Sequence, residues 1–447
     1  MIGEVPGGYG LTESRVAAYG YPEFFTRPPV LYQPTYPPLA PTKMIRRGLS
    51  ELAPPWLDEE RVSLLSRETM SKKQTLKNKE VYVKLIKDLY PTDGVKFDDD
   101  DGHYIVIPNS DLTPRYRIIK VLGQGTFGKV IQCYDRLKKD YCAIKVIRSI
   151  QKYRDASMIE LRVLRTISEN DPENLRKCIH MRDCFDYRNH ICIVMGLLGM
   201  SVFDFLKNNS FIPFPLSHIQ HFAYQLFTSV AFLHDLNLIH TDLKPENILL
   251  VHAGFRTVPY TKKLGVKVKR LLNNTEIRLI DFGSATFENE YHSSVVSTRH
   301  YRAPEIILGM GWSYPCDIWS IGCILIEFFT GEALFQTHDN LEHLSMMEII
   351  CGKLEPKFIR QSSKSAQKYF RHSGKLDYPN KDTSPSSRKF VKTMRSLKEI
   401  VPSTSPLKTH FLDLLTKIFI YDPNKRITAK EALSHPYFFT PVREDDI

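Results

Sequence analysis

The chain has 447 residues, with 61 Lys and Arg against 50 Asp and Glu and a net charge of +11. Apolar residues at 42% and charged residues at 25% are ordinary for a soluble globular protein. They exclude a collagen, a wholly disordered chain and a multi-span membrane protein. The basic excess is local. Residues 252–275 carry six Lys/Arg and no acid, and 353–395 carry twelve against three, whereas 1–115 is nearly neutral. Runs of this kind read first as solvated faces rather than as a nucleic-acid surface. The eight cysteines lie between positions 133 and 351, without Cys-x-x-Cys or Cys/His ligand spacing. Neither a disulfide framework nor a zinc site is expected, and reduced thiols in an intracellular compartment fit better. The N-terminus lacks the basic and apolar regions of a signal peptide, and the longest apolar run, Ile318 to Phe329, is interrupted by Glu327 and too short to span a bilayer.

Taken in chain order, residues 1–60 hold ten prolines and five tyrosines. Such a segment propagates neither helix nor ladder, and it is expected to be a disordered tail or a docking peptide for a partner. Val81, Val83, Leu85, Ile86 and Leu89 suggest a short amphipathic helix within 61–92. Asp98 to Asp101 reads as a solvated turn before a strand at Tyr104-Ile105-Val106-Ile107. Strand-like runs follow at 116–122, 130–134 and 141–146. Beyond about residue 213 the pattern is mainly helical, with Ile219, Phe222, Ala223, Leu226 and Val230 on one face and a more buried segment around Ile321, Cys323, Ile324 and Phe328. A small β-rich part therefore precedes a larger helical part.

Gly123-Gln124-Gly125-Thr126-Phe127-Gly128-Lys129-Val130 has the spacing G-x-G-x-x-G-x-V. Glycines there let backbone N–H groups approach phosphate oxygens. A strand rather than a helix follows, which disfavours a dinucleotide fingerprint. Lys145, in Ala143-Ile144-Lys145, can reach the α- and β-phosphates if an acid such as Glu160 holds it. In His240-Thr241-Asp242-Leu243-Lys244-Pro245-Glu246-Asn247, Asp242 can orient a hydroxyl and accept its proton. Lys244 can neutralise a transferred phosphoryl group, and Asn247 can offer oxygen to a divalent metal. Asp281, in Asp281-Phe282-Gly283, can chelate the metal bridging the phosphates. Taken singly, each has a bland reading as a surface charge or a core residue. The order of all five motifs, ending at Ala303-Pro304-Glu305, is improbable by chance.

On these motifs the sequence resembles the eukaryotic protein kinases over about 116–437. The resemblance implies an α+β, two-lobed kinase fold with ATP and Mg²⁺ in the cleft. Leu122 to Val130, Lys145, and Met195, Gly196, Leu197 and Leu198 of the gatekeeper and hinge would then contact ATP. Asn247 and Asp281 would hold metal. It further implies that Glu305 pairs with Arg426 and that Asp317 braces the catalytic loop. Ser297 to Glu305 resembles the CMGC group. Glu342-His343-Leu344-Ser345-Met346-Met347-Glu348-Ile349-Ile350-Cys351-Gly352 is similar to the signature of LAMMER, or CDC-like, kinases, with Ser345, Ile349 and Cys351 departing from it. Thr241, where most kinases carry Arg, is also the LAMMER form and implies no strict need for activation-loop phosphorylation. Residues 252–275 match the family's hairpin insertion. Gly196 departs from the usual hinge Glu.

The resemblance implies Ser/Thr transfer to Arg/Ser-rich splicing-type proteins, with tyrosine autophosphorylation and Glu246 as a reader of substrate Arg. A monomer, in the nucleus or cytoplasm and without membrane contact, is expected. RNA contact is disfavoured because no aromatic-interleaved platform stands out. The division expected is 1–92 largely disordered, 93–115 an acidic turn and lead-in strand, 116–437 catalytic, and 438–447 a tail. Two alternatives belong to other classes: a kinase-fold scaffold, and an RNA-associated protein using the basic insertions.

Overall fold

The computed structural model describes residues 83–88, 96–262 and 265–443, with backbone alone at 260–262 and 265–267. The Pro/Tyr-rich tail and positions Val81 and Leu89 lie outside these residues. A six-stranded sheet forms from β1 (Lys84–Ile86), β2 (Tyr116–Gly125), β3 (Gly128–Asp135), β4 (Asp140–Ile147), β5 (Met181–Tyr187) and β6 (His190–Gly196), in the order β1-β5-β6-β4-β3-β2. Helix α1 (Gln151–Asn170) crosses over between β4 and β5. Its apolar stripe of Leu161, Val163, Leu164 and Ile167 is buried, as a 3.6-residue period requires.

Two expectations ahead of residue 116 are corrected. Residues 84–86 are not helical: they add in parallel to β5, with Lys84, Leu85 and Ile86 opposite Phe185, Asp186 and Tyr187. Backbone pairing with a sheet edge outweighs a weak local helical pattern. The expected strand at 104–107 is a single bridge, Asp98 to Tyr104. Tyr104 is buried and Val106 packs beside it while Ile105 and Ile107 face solvent, so the alternation of a strand is present but ladder pairing stops at this one bridge.

The larger lobe is built on α2 (Val202–Asn208), α3 (Leu216–Asp235), α4 (Pro315–Thr330), α5 (Asn340–Cys351), α6 (Pro385–Thr393) and α7 (Pro406–Ile418). Ile219, Phe222, Ala223, Leu226 and Val230 of α3 are fully buried, as are Ile321, Cys323, Ile324 and Phe328 of α4. Short two-stranded pairings carry the loops between lobes. They are β7 (Leu238–Ile239) with β12 (Thr286–Phe287), and β8 (Ile248–Leu250) with β11 (Ile277–Leu279). The basic insertion forms a hairpin, β9 (Phe255–Lys262) against β10 (Gly265–Leu272).

Helix α5 carries the LAMMER-like string. Asp339 caps it, accepting from the Glu342 N–H at 2.8 Å, and Leu344, Met346 and Met347 are fully buried. Buried His343 packs against Phe335 at 4.9 Å. The string is therefore core, and the sulfur side chains fill irregular space. Phe438 is also fully buried, and Gln220 donates to the Thr440 carbonyl at 3.0 Å. The packed chain thus runs past the expected boundary at 437. No helix among the described residues is long and apolar enough to cross a membrane.

Candidate active site

The glycine-rich turn joins β2 to β3. A Cβ on Gly128 would come within 2.1 Å of the Val146 carbonyl oxygen, so glycine is needed there for β3 to meet β4. At Gly123 and Gly125 a Cβ would meet nothing within 4 Å. Those two glycines border open space, as a cover for a ligand requires.

Lys145 sits on β4 opposite Val130 and Ile193. Its ammonium donates to both carboxylate oxygens of Glu160 at 2.7 and 2.8 Å, and to Asp281 at 3.2 Å. Burial alone would favour the neutral amine. The two carboxylates outweigh it and raise the pKa, so the side chain is a fixed cation. The pair holds α1 against the sheet, and buried Glu160 is thereby removed from the solvated role its helix position alone suggests.

The catalytic loop follows β7. Buried Asp317 accepts the backbone N–H groups of His240 and Thr241, both at 2.9 Å. Thr241 holds a left-handed φ of 66°, a conformation that a β-branched residue keeps only when its surroundings impose it. Its hydroxyl donates to the Ser284 carbonyl at 2.8 Å, and Ser297 donates to the Thr241 carbonyl at 2.6 Å. Thr241 thus ties the catalytic loop to both ends of the activation segment, to Ser284 through its uncharged side chain and to Ser297 through its backbone carbonyl.

Asp242 accepts on one oxygen from the Thr298 N–H (2.9 Å) and hydroxyl (2.7 Å), and on the other from Lys244 (2.6 Å). Burial would raise its pKa. The bonds from Lys244 and Thr298 prevail and lower it, leaving an ionised carboxylate. Asn247 donates its amide N–H to the Asp242 carbonyl at 2.9 Å, which leaves the amide oxygen as its acceptor for a cation. Asp281 also adopts a left-handed φ of 62°. Enclosure in the cleft would raise its pKa, but Lys145, His240 and Lys244 bring it down.

The hinge strand places Met195 opposite Ala143 and Gly196 opposite Cys142. A Cβ at Gly196 would lie 3.3 Å from the Arg182 guanidinium, which occupies the space over this position. Lys129 turns to Asp99 (3.2 Å) and the Tyr104 carbonyl (3.0 Å). Glu305 and Arg426 form a fully buried two-bond pair at 2.7 and 2.9 Å. Ser297 and Thr298 lay in the CMGC-like stretch without an assigned role, and the pair Arg162–Glu290 (2.6 Å), which ties α1 to the activation segment, had no signal in the sequence.

An open glycine cover, a fixed ammonium and two ionised or oxygen-bearing metal candidates, Asp281 and Asn247, fit a Mg²⁺-nucleotide. Lys145 and the glycine loop would hold its phosphates. The metal would supply charge neutralisation on the phosphate oxygens.

The protein kinase domain family matches residues 116–438. The dual specificity protein kinase lkh1 of Schizosaccharomyces pombe is 59% identical over 364 residues, covering 81% of this chain and 52% of that protein. The chain thus spans about half the length of that relative. The serine/threonine-protein kinase AFC3 of Arabidopsis thaliana is 51% identical over 345 residues, 76% of this chain and 86% of that one. The human dual specificity protein kinase CLK2 is 46% identical over 343 residues, 76% and 67% respectively. The crystal structure of the kinase domain of PF14_0431 superposes with a TM-score of 0.71 at 34% identity, over 76% of this chain and all of that one. With a kinase-domain match over most of its length and these relatives, the chain belongs to the protein kinase family, in its LAMMER branch.

Proposed function

We propose that the protein transfers the ATP γ-phosphoryl group to Ser and Thr hydroxyls of Arg/Ser-rich proteins, and to its own Tyr. The observation that carries the transfer is the joined set Glu160–Lys145–Asp281 together with the pair Asp242–Lys244. Asp242 takes the proton of the attacking hydroxyl. Lys244 neutralises the phosphoryl oxygens, and Lys145 holds the α/β-phosphates, so positioning and charge supply most of the rate. The names of the yeast and human relatives support dual specificity.

A preference for Arg is supported by a second acidic position. Exposed Glu246 lies four residues beyond Asp242, and its charge is felt at buried Glu327. Burial first, and then Glu246, pushes the Glu327 carboxyl up to about 7. A substrate guanidinium beside exposed Glu246 would be neutralised by it. A nuclear or cytoplasmic setting accords with the LAMMER likeness.

The test is phosphate transfer with Mg²⁺-ATP to an Arg/Ser-repeat peptide, beside an acidic Ser peptide and an Asp242→Asn control. Turnover on the Arg/Ser peptide should exceed that on the acidic one, and should fall by about 10² to 10⁴-fold in the control. Equal use of both peptides would remove the Arg assignment. Undiminished turnover in Asp242→Asn would remove the mechanism.

A further inference from the structure

We propose that the acidic turn at 98–101 positions the glycine-rich loop over the nucleotide phosphates, with Arg148 as the positioning residue that links them. The inference rests on reading that loop as the phosphate cover. A loop containing three glycines is costly to order; β2 and β3 pair as far as Gly125 and Gly128, and the Thr126-Phe127 tip lies beyond that pairing. In this protein the tip has an external anchor. The Arg148 N–H donates to the Phe127 carbonyl at 3.0 Å, and its guanidinium reaches the Thr126 carbonyl at 3.3 Å. The Phe127 ring meets Tyr153 of α1 edge-on at 5.7 Å. The Arg148 guanidinium lies over the same Tyr153 ring at 4.7 Å and donates to its hydroxyl at 3.2 Å.

The other side of this guanidinium is bonded to the turn, through Nε to the Asp101 carbonyl at 2.7 Å and through a second nitrogen to the same oxygen. The turn is in turn held in place. Asp99 accepts the His103 N–H at 2.8 Å and pairs with Lys129, the residue that follows the last glycine, at 3.2 Å. Ser149, next to Arg148, donates its N–H to the Gly102 carbonyl at 2.9 Å and its hydroxyl to Asp98 at 2.5 Å. Asp98 also faces His190 at 2.8 Å. Gly102 has a φ of +76°, which suits glycine at this bend. Loop tip, loop exit and the helix bearing Glu160 therefore share one anchor outside the segment that matches the kinase domain. Prior ordering of the loop lowers the cost of binding nucleotide.

The experiment uses the full chain. ATP KM, peptide KM and kcat are measured for wild type, Arg148→Ala, Arg148→Lys, Asp99→Asn, and Lys96→Ala, which removes an exposed pair with Asp100. The same proteins are titrated with a fluorescent ATP analogue. Arg148→Ala should raise ATP KM and weaken analogue binding by about tenfold, the worth of hydrogen bonds from a charged donor, with peptide KM unchanged. Arg148→Lys should recover part of the loss. Asp99→Asn should move the same way by less, and Lys96→Ala should match wild type. An ATP KM and analogue affinity within about twofold of wild type in both Arg148→Ala and Asp99→Asn would overturn the proposal, as would an equal rise in peptide KM. Should Arg148→Ala not fold, the surface variant Asp99→Asn decides. A wild type that binds the analogue without transferring phosphate would strike the catalytic reading alone, and the analogue affinities would still decide this one.

Discussion

Thr298 gives both its backbone N–H and its hydroxyl to a single carboxylate oxygen of Asp242, at 2.9 and 2.7 Å, while Lys244 takes the other oxygen at 2.6 Å. The residue proposed to accept the substrate proton is thus held from the activation segment itself. Thr298→Val removes the hydroxyl and keeps the N–H. One lost charge-assisted bond should lower kcat by about tenfold. Because the bonds from Lys244 and Thr298 are what bring the Asp242 pKa below its ordinary value, the acid limb of the kcat–pH profile should move to higher pH in the variant. A profile superimposable on wild type would show that Thr298 does not act on Asp242.

The Glu305–Arg426 pair is fully buried, and its guanidinium also donates to the carbonyls of Pro315, Ile420 and Tyr421. Arg426→Ala leaves a carboxylate without its partner in a dry interior. The expected cost is about 3–5 kcal/mol, read as a lowered urea midpoint at unchanged slope. Exchanging both residues for apolar ones should cost less than removing Arg426 alone.

Glu327 accepts the Tyr301 hydroxyl at 2.7 Å and is pushed up to about 7, first by burial and then by Glu246. Its folded pKa lies above the ordinary carboxyl value, so the native state holds a proton that the unfolded chain releases. Its contribution to stability is complete below about pH 4.5 and is lost as pH rises through about 7. Glu327→Gln keeps an acceptor and removes the titration. Between pH 5 and 8 the melting temperature of the variant should fall less than that of wild type. Parallel curves would exclude Glu327 as the source.

The glycines divide by what surrounds them. Gly128→Ala forces a Cβ onto the Val146 carbonyl, whereas Gly123→Ala meets no atom within 4 Å. The first should lower the melting temperature by several degrees through overpacking, on the order of 1–3 kcal/mol. The second should leave it unchanged and raise ATP KM. An unchanged ATP KM in Gly123→Ala would remove that glycine from the phosphate cover.

The chemistry-bearing motifs were readable in the chain because each needs particular atoms: a carboxylate at 242, an amide at 247, an ammonium at 145, small residues at 123, 125 and 128. The same holds for the long helices, whose buried faces repeat with the period of the backbone. Positions 84–86 and 104–107 were misread for a common reason. Apolar residues there fit more than one local pattern, and the outcome depended on whether a sheet edge was within reach. Edge pairing with β5 was available to the first, whereas the second finds only the Asp98–Tyr104 bridge and the bond from the Ile105 N–H to the Phe97 carbonyl.

What the sequence alone determined is the set of candidate reacting groups, their order along the chain and the family they mark, because residue identity and local spacing carry that information. Only the tertiary structure decided that Lys145 meets Asp281 across 136 positions, that Thr298 donates twice to Asp242, and that a turn ahead of the kinase domain meets Arg148, which bonds the glycine-rich loop. Those contacts join residues distant along the chain through directional bonds a few ångströms long. No local period records them, and they exist only once the chain has packed.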